Sequence, residues 1–394
     1  MTRYGLGAGA LLLLSASWAG AGGLDRTNQP VGILFEEGSY AELSFGFTSP
    51  TLEGVFPLNG ASSGDVGESF VTPVLAFKAD IDENLSYAVI FEQPFGADVS
   101  YADADLDYPL LGSEATFDSN SLTVLGRYRF DNGFSVYGGP RLVETSAELT
   151  LAAATSSTTG YIYEGDFAVE SDLGYVVGAA YERPEIALRV ALTYSSETTF
   201  SNDSEFDLTV LTPFGALPGA GSGALPEYSL PQSLNLDFQT GVAPGTLLFG
   251  SVRWADWSET EINVLLPELA LPGLSEAIGE NLNPVVSYPD DYFTYTVGVG
   301  RQLTDKLSGA VSVIYEPGIT TEFSGAPGTG GSNLSPYDGQ LAVLLAGSYE
   351  VSDSLEIGGG IRFAKLGDVS TRNIGAEFED NSAVSVGVRI GYRF

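Results

Sequence analysis

The sequence predicts an all-β fold: a transmembrane antiparallel β-barrel of about 14 strands with a short N-terminal plug segment. Three observations carry the prediction. The N-terminus reads as an export leader, period-two alternation recurs along the chain, and the connections alternate between short and long. Composition agrees. The 394 residues include 49 Gly, 20 Tyr, 22 Phe and no Cys, so an exported chain has no disulfide framework and must hold together through hydrogen bonding and packing. Mean hydropathy is slightly positive, +0.11, yet beyond the leader no stretch reaches the uninterrupted apolar length of a membrane helix. A chain of alternating apolar and polar residues has one other way to cross a bilayer, as a closed barrel.

The leader is "MTRYGLGAGALLLLSASWAGAGG". Arg3 is followed by an apolar stretch centred on Leu11 to Leu14, and Ala19-Gly20-Ala21 supplies an A-x-A cleavage signal. This pattern predicts a secretory signal peptide over residues 1–21, too short and too rich in small residues to span a membrane. Residues 22–37 form a short hatch segment, and residues 38–394 form the barrel.

The alternation is clearest in the last stretch, "AVSVGVRIGYRF". Val384, Val386, Val388, Ile390, Tyr392 and Phe394 share one face, and Ser385, Arg389 and Arg393 share the other, because successive side chains of a strand point to opposite sides. A soluble sandwich accounts for one such strand but not for a series. The rhythm returns at Leu85–Phe91, Leu122–Phe130, Ile186–Tyr194, Phe293–Val299, Leu307–Tyr315 and Leu355–Phe363. The strand that ends at Phe394 is the expected handle for the barrel-assembly machinery.

Between strands the connections are of two kinds. Short polar turns occur at 80–84, 131–133, 182–185, 243–245, 304–306 and 352–354. Long connections lie around 49–68, 94–115, 149–165, 201–227, 265–289, 321–335 and 369–378. Short periplasmic turns and long outer loops are the asymmetry of an outer-membrane barrel, with both termini on the short-turn side. The expected location is therefore the Gram-negative cell outer membrane, after export.

Charge is lopsided: 51 Asp plus Glu against 16 Lys plus Arg. Loss of Arg3 with the leader leaves 15 basic residues and a charge of −36. Such a balance excludes nucleic acid as a partner. Acids such as Asp98, Asp103, Asp105 and Asp107 fall in the outer loops, where they solvate the loops and can attract divalent cations near lipopolysaccharide. By strand parity, Arg127, Arg129, Arg189, Arg362, Arg389 and Arg393 face the lumen, and Arg141 and Arg253 join them. A lipid-facing arginine at the bilayer midplane costs about 2–4 kcal/mol, so inward placement is expected. There these residues either brace the barrel against acids such as Glu92, Glu316 and Glu356 or, in the case of Arg127, Arg189 and Arg362, hold an anionic ligand.

The chain has no His and no Cys, which removes Ser-His hydrolase chemistry and His or Cys metal sites together. Its Gly-rich runs, "GAGSG" and "GTGG", lack a following Lys-Ser/Thr and are not phosphate cradles. No enzyme, cofactor or metal site is expected. The segments 208–231 and 264–289 are unusually apolar for exposed connections, and exposed apolar clusters mark binding sites. Phe214, Leu217, Leu225, Leu265, Leu266, Leu269, Leu271, Leu274 and Ile278 are the candidate lining of a groove above the barrel mouth, or of a lid packed over it.

"LPQSLNLDFQTGVAPGTLLFGSVRWADWSE" (230–259) and "DDYFTYTVGVGRQLTDKLSGAVSVIYEP" (290–317) resemble the FadL/TodX family of outer-membrane hydrophobe transporters. The resemblance rests on the Leu-Pro opening before a strand, the Trp-x-x-Trp-Ser strand end and the Asp-x-Tyr/Phe strand start, and it covers roughly 228–320 and the C-terminal strand. It implies a monomer that takes up long-chain fatty acids or other hydrophobic small molecules passively. Ligand is captured by an apolar loop groove, held in the lumen and released sideways into lipid at a kink in the third strand. Here that strand runs into Gln93, Pro94, Phe95 and Gly96, where Pro and Gly interrupt pairing; they either open the wall or simply end the strand. The resemblance also implies an N-terminal hatch carrying an Asn-Pro-Ala motif. In this chain Asn28, Gln29 and Pro30 stand in that place, with an inserted Gln and Val31 instead of Ala, and Phe35 is the candidate anchor against the lumen wall.

Two other functions fit a barrel of this kind. A general porin for polar solutes would show salt-dependent single-channel conductance, which a hydrophobe transporter lacks. A surface adhesin or structural barrel would lose its phenotype on loop deletion with no change in uptake.

Overall fold

The computed structural model describes residues 23–27, 29–156, 159–267, 278, 283–320, 322–324 and 330–394. The expected signal peptide over residues 1–21 lies outside the described residues, as do Asn28, Leu269, Leu271 and Leu274.

Fourteen wall strands follow one another in chain order. They are β1 (Tyr40–Thr51), β2 (Phe70–Asp80), β3 (Leu85–Glu92), β4 (Glu114–Arg129), β5 (Phe134–Ser156), β6 (Thr159–Arg183) and β7 (Leu188–Ser195). The second half is β8 (Ser233–Ala243), β9 (Thr246–Ala255), β10 (Tyr292–Gln302), β11 (Leu307–Glu316), β12 (Gln340–Glu350), β13 (Leu355–Leu366) and β14 (Ser382–Arg393). Each pairs antiparallel with its sequence neighbours. β1 then pairs with β14 from Tyr40↔Arg393 to Thr51↔Ser382, which closes the wall. Closure removes the free edges a spanning sheet would otherwise expose to lipid.

Side-chain placement follows the parity read from the sequence. Val384, Val386, Val388, Ile390 and Tyr392 stand exposed on the outer face, whereas Ser385 and Arg389 are buried inside. Phe45, Phe47, Leu75, Val297 and Val299 likewise point outward. At the short-turn rim the outer face carries an aromatic girdle: Phe77 meets Tyr87 and Phe394, Tyr128 meets Phe130, and Phe134 meets Tyr181. Such rings sit at the headgroup level of a bilayer.

Inside, ion pairs sit alongside two clusters of buried apolar side chains. Arg389 is 1% exposed and reaches Glu356 at 2.5 Å and Glu42 at 3.3 Å, bridging β13, β14 and β1 where the wall closes. Arg393 pairs with Glu36 of the N-terminal segment at 3.3 Å. Replacing Arg389 with Met is expected to leave two lumenal carboxylates without this counterion and to cost about 3–5 kcal/mol. The temperature at which the barrel loses its fast, folded migration in SDS gels should fall, and an unchanged temperature would mean that the closure does not depend on this arginine.

Two expectations about the connections need correction. The stretch 149–165 is not a loop: β5 and β6 run 23 and 25 residues and project as a ribbon far beyond the 9–11 residues that cross a bilayer. The stretch 201–227 is mostly a hairpin, Asp203–Thr212 against Gly215–Ala224, that pairs with the upper part of β6. Outside the membrane no strand has a lipid face, so the alternation that marks the wall is not required of these extensions.

Candidate functional site

The N-terminal segment lies inside the barrel, and its lower part packs against the wall near the periplasmic end. A single 3-10 turn, Gly32–Phe35, buries Ile33 and Leu34 against Ala76, Ala88, Ile90 and Leu125 of the wall. Phe35 follows, with the Arg127 guanidinium 4.5 Å and the Arg189 guanidinium 4.6 Å from its ring centroid and the edge of Tyr137 at 5.9 Å. Cations over an aromatic face gain most when they are desolvated. Arg127 also donates to the Leu34 carbonyl at 2.8 Å and pairs with Glu182, and Arg189 donates to Gln239 at 2.9 Å. Lys78 donates to the carbonyls of Glu36 and Gly38 and pairs with Asp80. The structure therefore gathers Arg127 and Arg189 around the hatch, and Arg127 also lines a cleft of about 430 Å³ beside Phe35. Arg362 lies elsewhere, bonded to Gln340. Arg129 is a correction of a different sort: it is exposed at the periplasmic rim and donates to the Glu83 carbonyl at 2.7 Å.

The upper part of the same segment meets the third strand. β3 ends at Glu92, and after the break at Gln93–Phe95 a short continuation, Gly96–Ser100, resumes pairing with β4. The segment fills part of the break. Arg26 and Thr27 amides donate to the Pro94 carbonyl at 2.8 and 3.3 Å, and the Gly96 amide donates to the Leu24 carbonyl at 2.8 Å. Asp25 bridges Phe95 and also pairs with Arg253 at 3.2 Å, both side chains fully enclosed. Thr27 donates to the buried Glu92 at 2.5 Å. Gln29 is buried with φ 54°, a left-handed conformation that bends the chain toward Pro30 and the turn below.

The break opens a window in the wall. β2 pairs with β3 only from Leu75↔Phe91 downward. Above that, Phe70–Val74 faces no strand on this side until the bonds from the Glu68 amide to the Asp98 carbonyl and from the Ser100 amide to the Val66 carbonyl close the frame. The opening measures about 490 Å³ and is lined by Arg26, Phe70, Val71, Gln93, Asp98 and Asp118, among others. Arg26 crosses it, pairing with Asp98, reaching Asp118 at 3.5 Å, and lying 4.5 Å from the Phe70 ring centroid. Gly96 permits this, because a Cβ there would fall 2.3 Å from the Arg26 guanidinium carbon.

Directly behind the window is a narrow apolar cavity of about 60 Å³. Leu24, Ala97, Phe117, Leu149, Phe167 and Leu225 are among its walls, and Ala115 and Thr116 are shared with the window. Tyr228 also lines it; burial pushes its hydroxyl well above the usual tyrosine value, so it presents a neutral group. Beside Leu24 the edge-to-face chain Phe95, Trp257, Tyr288 and Tyr292 extends across the lumen.

The loop residues proposed for a groove divide. Leu225 lines the cavity, Ile278 is buried in the same apolar cluster, and Leu217, Leu265 and Leu266 pack against that cluster. Phe214 does not belong there: it is 100% exposed at the tip of the 203–224 hairpin, where a turn points its side chain away from the sheet. Sequence reasoning missed Asp25, Arg26 and Trp257. A charged Asp-Arg pair within an otherwise uncharged run from Ala21 to Phe35 was the available signal.

With this geometry in place, kinship can be assigned. Residues 37–318 match the family of outer membrane protein transport proteins described as OMPP1/FadL/TodX. The chain belongs to the FadL/TodX family. Solved structures agree on the fold. A Pseudomonas aeruginosa FadL homologue superposes with a TM-score of 0.72 at 14% identity, covering 96% of this chain and 98% of the other. The Pseudomonas putida toluene transporter TodX gives 0.69 at 14%, covering 96% and 97%, and the Ralstonia pickettii toluene transporter TbuX gives 0.63 at 15%, covering 92% and 90%. No curated protein matches. FadL/TodX proteins are outer-membrane channels for hydrophobic compounds, not enzymes.

Proposed function

We propose that this FadL/TodX-family channel takes up hydrophobic small molecules by capture at the outer loops, passage through the apolar cavity and lateral release into lipid through the window at Gln93–Gly96. What supports the reading is the break in the ladder between β2 and β3 beside the apolar cavity, together with the packing of the hatch at the periplasmic end. The window adjoins the cavity at Ala115 and Thr116, whereas Phe35 and its two arginines occupy the periplasmic exit. An apolar ligand released sideways enters lipid without crossing the periplasm, so it avoids the cost of dissolving in that water, roughly 25 cal/mol per Å² of apolar surface. No energy-coupling step is needed, since the gradient and the partition into lipid drive uptake.

Uptake of labelled toluene and labelled oleate by cells with and without the gene tests this reading. At least one should enter faster when the barrel is present; equal rates with and without it would refute the transport function. Within the cavity, Leu149→Arg places an unpaired charge among apolar walls and is expected to cut uptake of the transported compound by about tenfold, with the folded gel migration retained. Undiminished uptake would remove the cavity from the path.

A further inference from the structure

We infer that the window selects by charge, passing uncharged hydrophobes and turning back the carboxylate form of fatty acids, with Glu68, Asp98, Glu114 and Asp118 as the selecting residues. The inference rests on the uptake reading above and names the substrate class of the same path. Four carboxylates line the window against one guanidinium, that of Arg26. Arg26 is already engaged by Asp98 and Asp118, so it offers an incoming anion little that these two do not already take. The other arginines first considered as anion holders lie off this route: Arg127 pairs with Glu182 and the Leu34 carbonyl, Arg189 donates to Gln239 beside Phe35, Arg362 donates to Gln340, and none of them lines the window or the cavity.

The rest of the route points the same way. None of the described residues lining the apolar cavity is basic, and its one ionisable acid is Glu148. Over the seven outer connections between wall strands the sequence carries a single basic residue, Arg372. That guanidinium donates to the Ser287 hydroxyl at 2.7 Å and the Ser287 carbonyl at 2.6 Å. An anion thus meets a negative field at the loops, no cation in the cavity and a second negative ring at the exit. A cleft lined by one sign of charge depletes ions of that sign, while a neutral ligand of the same length is indifferent to the field.

Labelled decanol and labelled decanoate, supplied to expressing cells and to empty cells at pH 8 where the acid is ionised, separate the possibilities. The expected result is that the protein accelerates decanol entry at least about tenfold more than decanoate entry. The variant Glu68→Gln/Glu114→Gln, which removes two exposed carboxylates without touching the Arg26 pairs, should raise the decanoate-to-decanol ratio severalfold. Equal acceleration of both probes by the native barrel overturns charge selection and leaves the channel reading standing. Acceleration of neither overturns the channel reading and this inference with it. An unchanged ratio in a folded variant overturns the assignment to these carboxylates.

Discussion

Replacement of Asp25 by alanine is expected to unseat the hatch and turn a closed barrel into a leaky one. Asp25 and Arg253 form an enclosed pair, with side chains 1% and 4% exposed, and among the described residues Arg253 has Asn235 as its further hydrogen-bonded partner at 3.1 Å. Removing one member of a buried pair strands the other charge and costs about 3–5 kcal/mol. The wall is held by its own strand ladders, so the cost falls on the docking of the N-terminal segment. The expected signature is frequent ion-conducting openings in planar bilayers where the native protein conducts poorly. The double variant Asp25→Ala/Arg253→Met removes the stranded charge and should recover much of the seal, because the penalty belongs to the unpaired guanidinium and not to the missing contact alone. If Asp25→Ala is as tight as the native barrel, the pair does not hold the hatch.

The second large effect is expected at the window. Ser69 and Ser100 line it from opposite sides, one before β2 and one at the end of the continuation of β3. Ser69→Trp/Ser100→Trp places two indoles in an opening of about 490 Å³ without disturbing the ladders on either side or the hatch. Uptake of the transported hydrophobe should fall to the level of empty cells, whereas the melting behaviour and the low ion conductance stay as they were. Retained uptake in a folded double-Trp barrel would mean that the ligand leaves by another route.

These two sites show how far the sequence could be followed. The wall was legible because lipid enforces period two: Val384 through Tyr392 face out and Arg389 faces in, as their parity requires. Burial of arginines in the lumen was legible for the same reason, since lipid tolerates no charge. Phe35 stands out in the sequence as a lone aromatic in a short segment, but the two arginines over its ring sit 92 and 154 residues away on β4 and β7, and no local pattern joins them. The union of residues 24–27 with 94–96 is a backbone pairing across the lumen, which depends on where the strand breaks and not on side-chain type. The outer ribbons were misjudged because "TLAAATSSTTGYIYEG" has loop-like composition, yet in a β5–β6 hairpin its backbone continues the ladder begun in the membrane. Phe214 was assigned to a groove on hydrophobicity alone, and a hairpin tip sends it to solvent.

Leu24 helps to wall the cavity, Arg26 crosses the window and Phe35 plugs the floor, so one short segment touches every stage of the proposed path.

The most direct test is to map where a hydrophobe touches the protein on its way through. A diazirine-bearing decanol, photolysed during uptake and followed by mass spectrometry, should label Leu149 and Leu225 in the cavity and Val71, Val99 and Ser100 at the window, and should spare Lys78, Arg127 and Glu182 beneath the hatch. Labels concentrated on those three residues, with the window unmarked, would show ligand leaving through the floor and contradict lateral release.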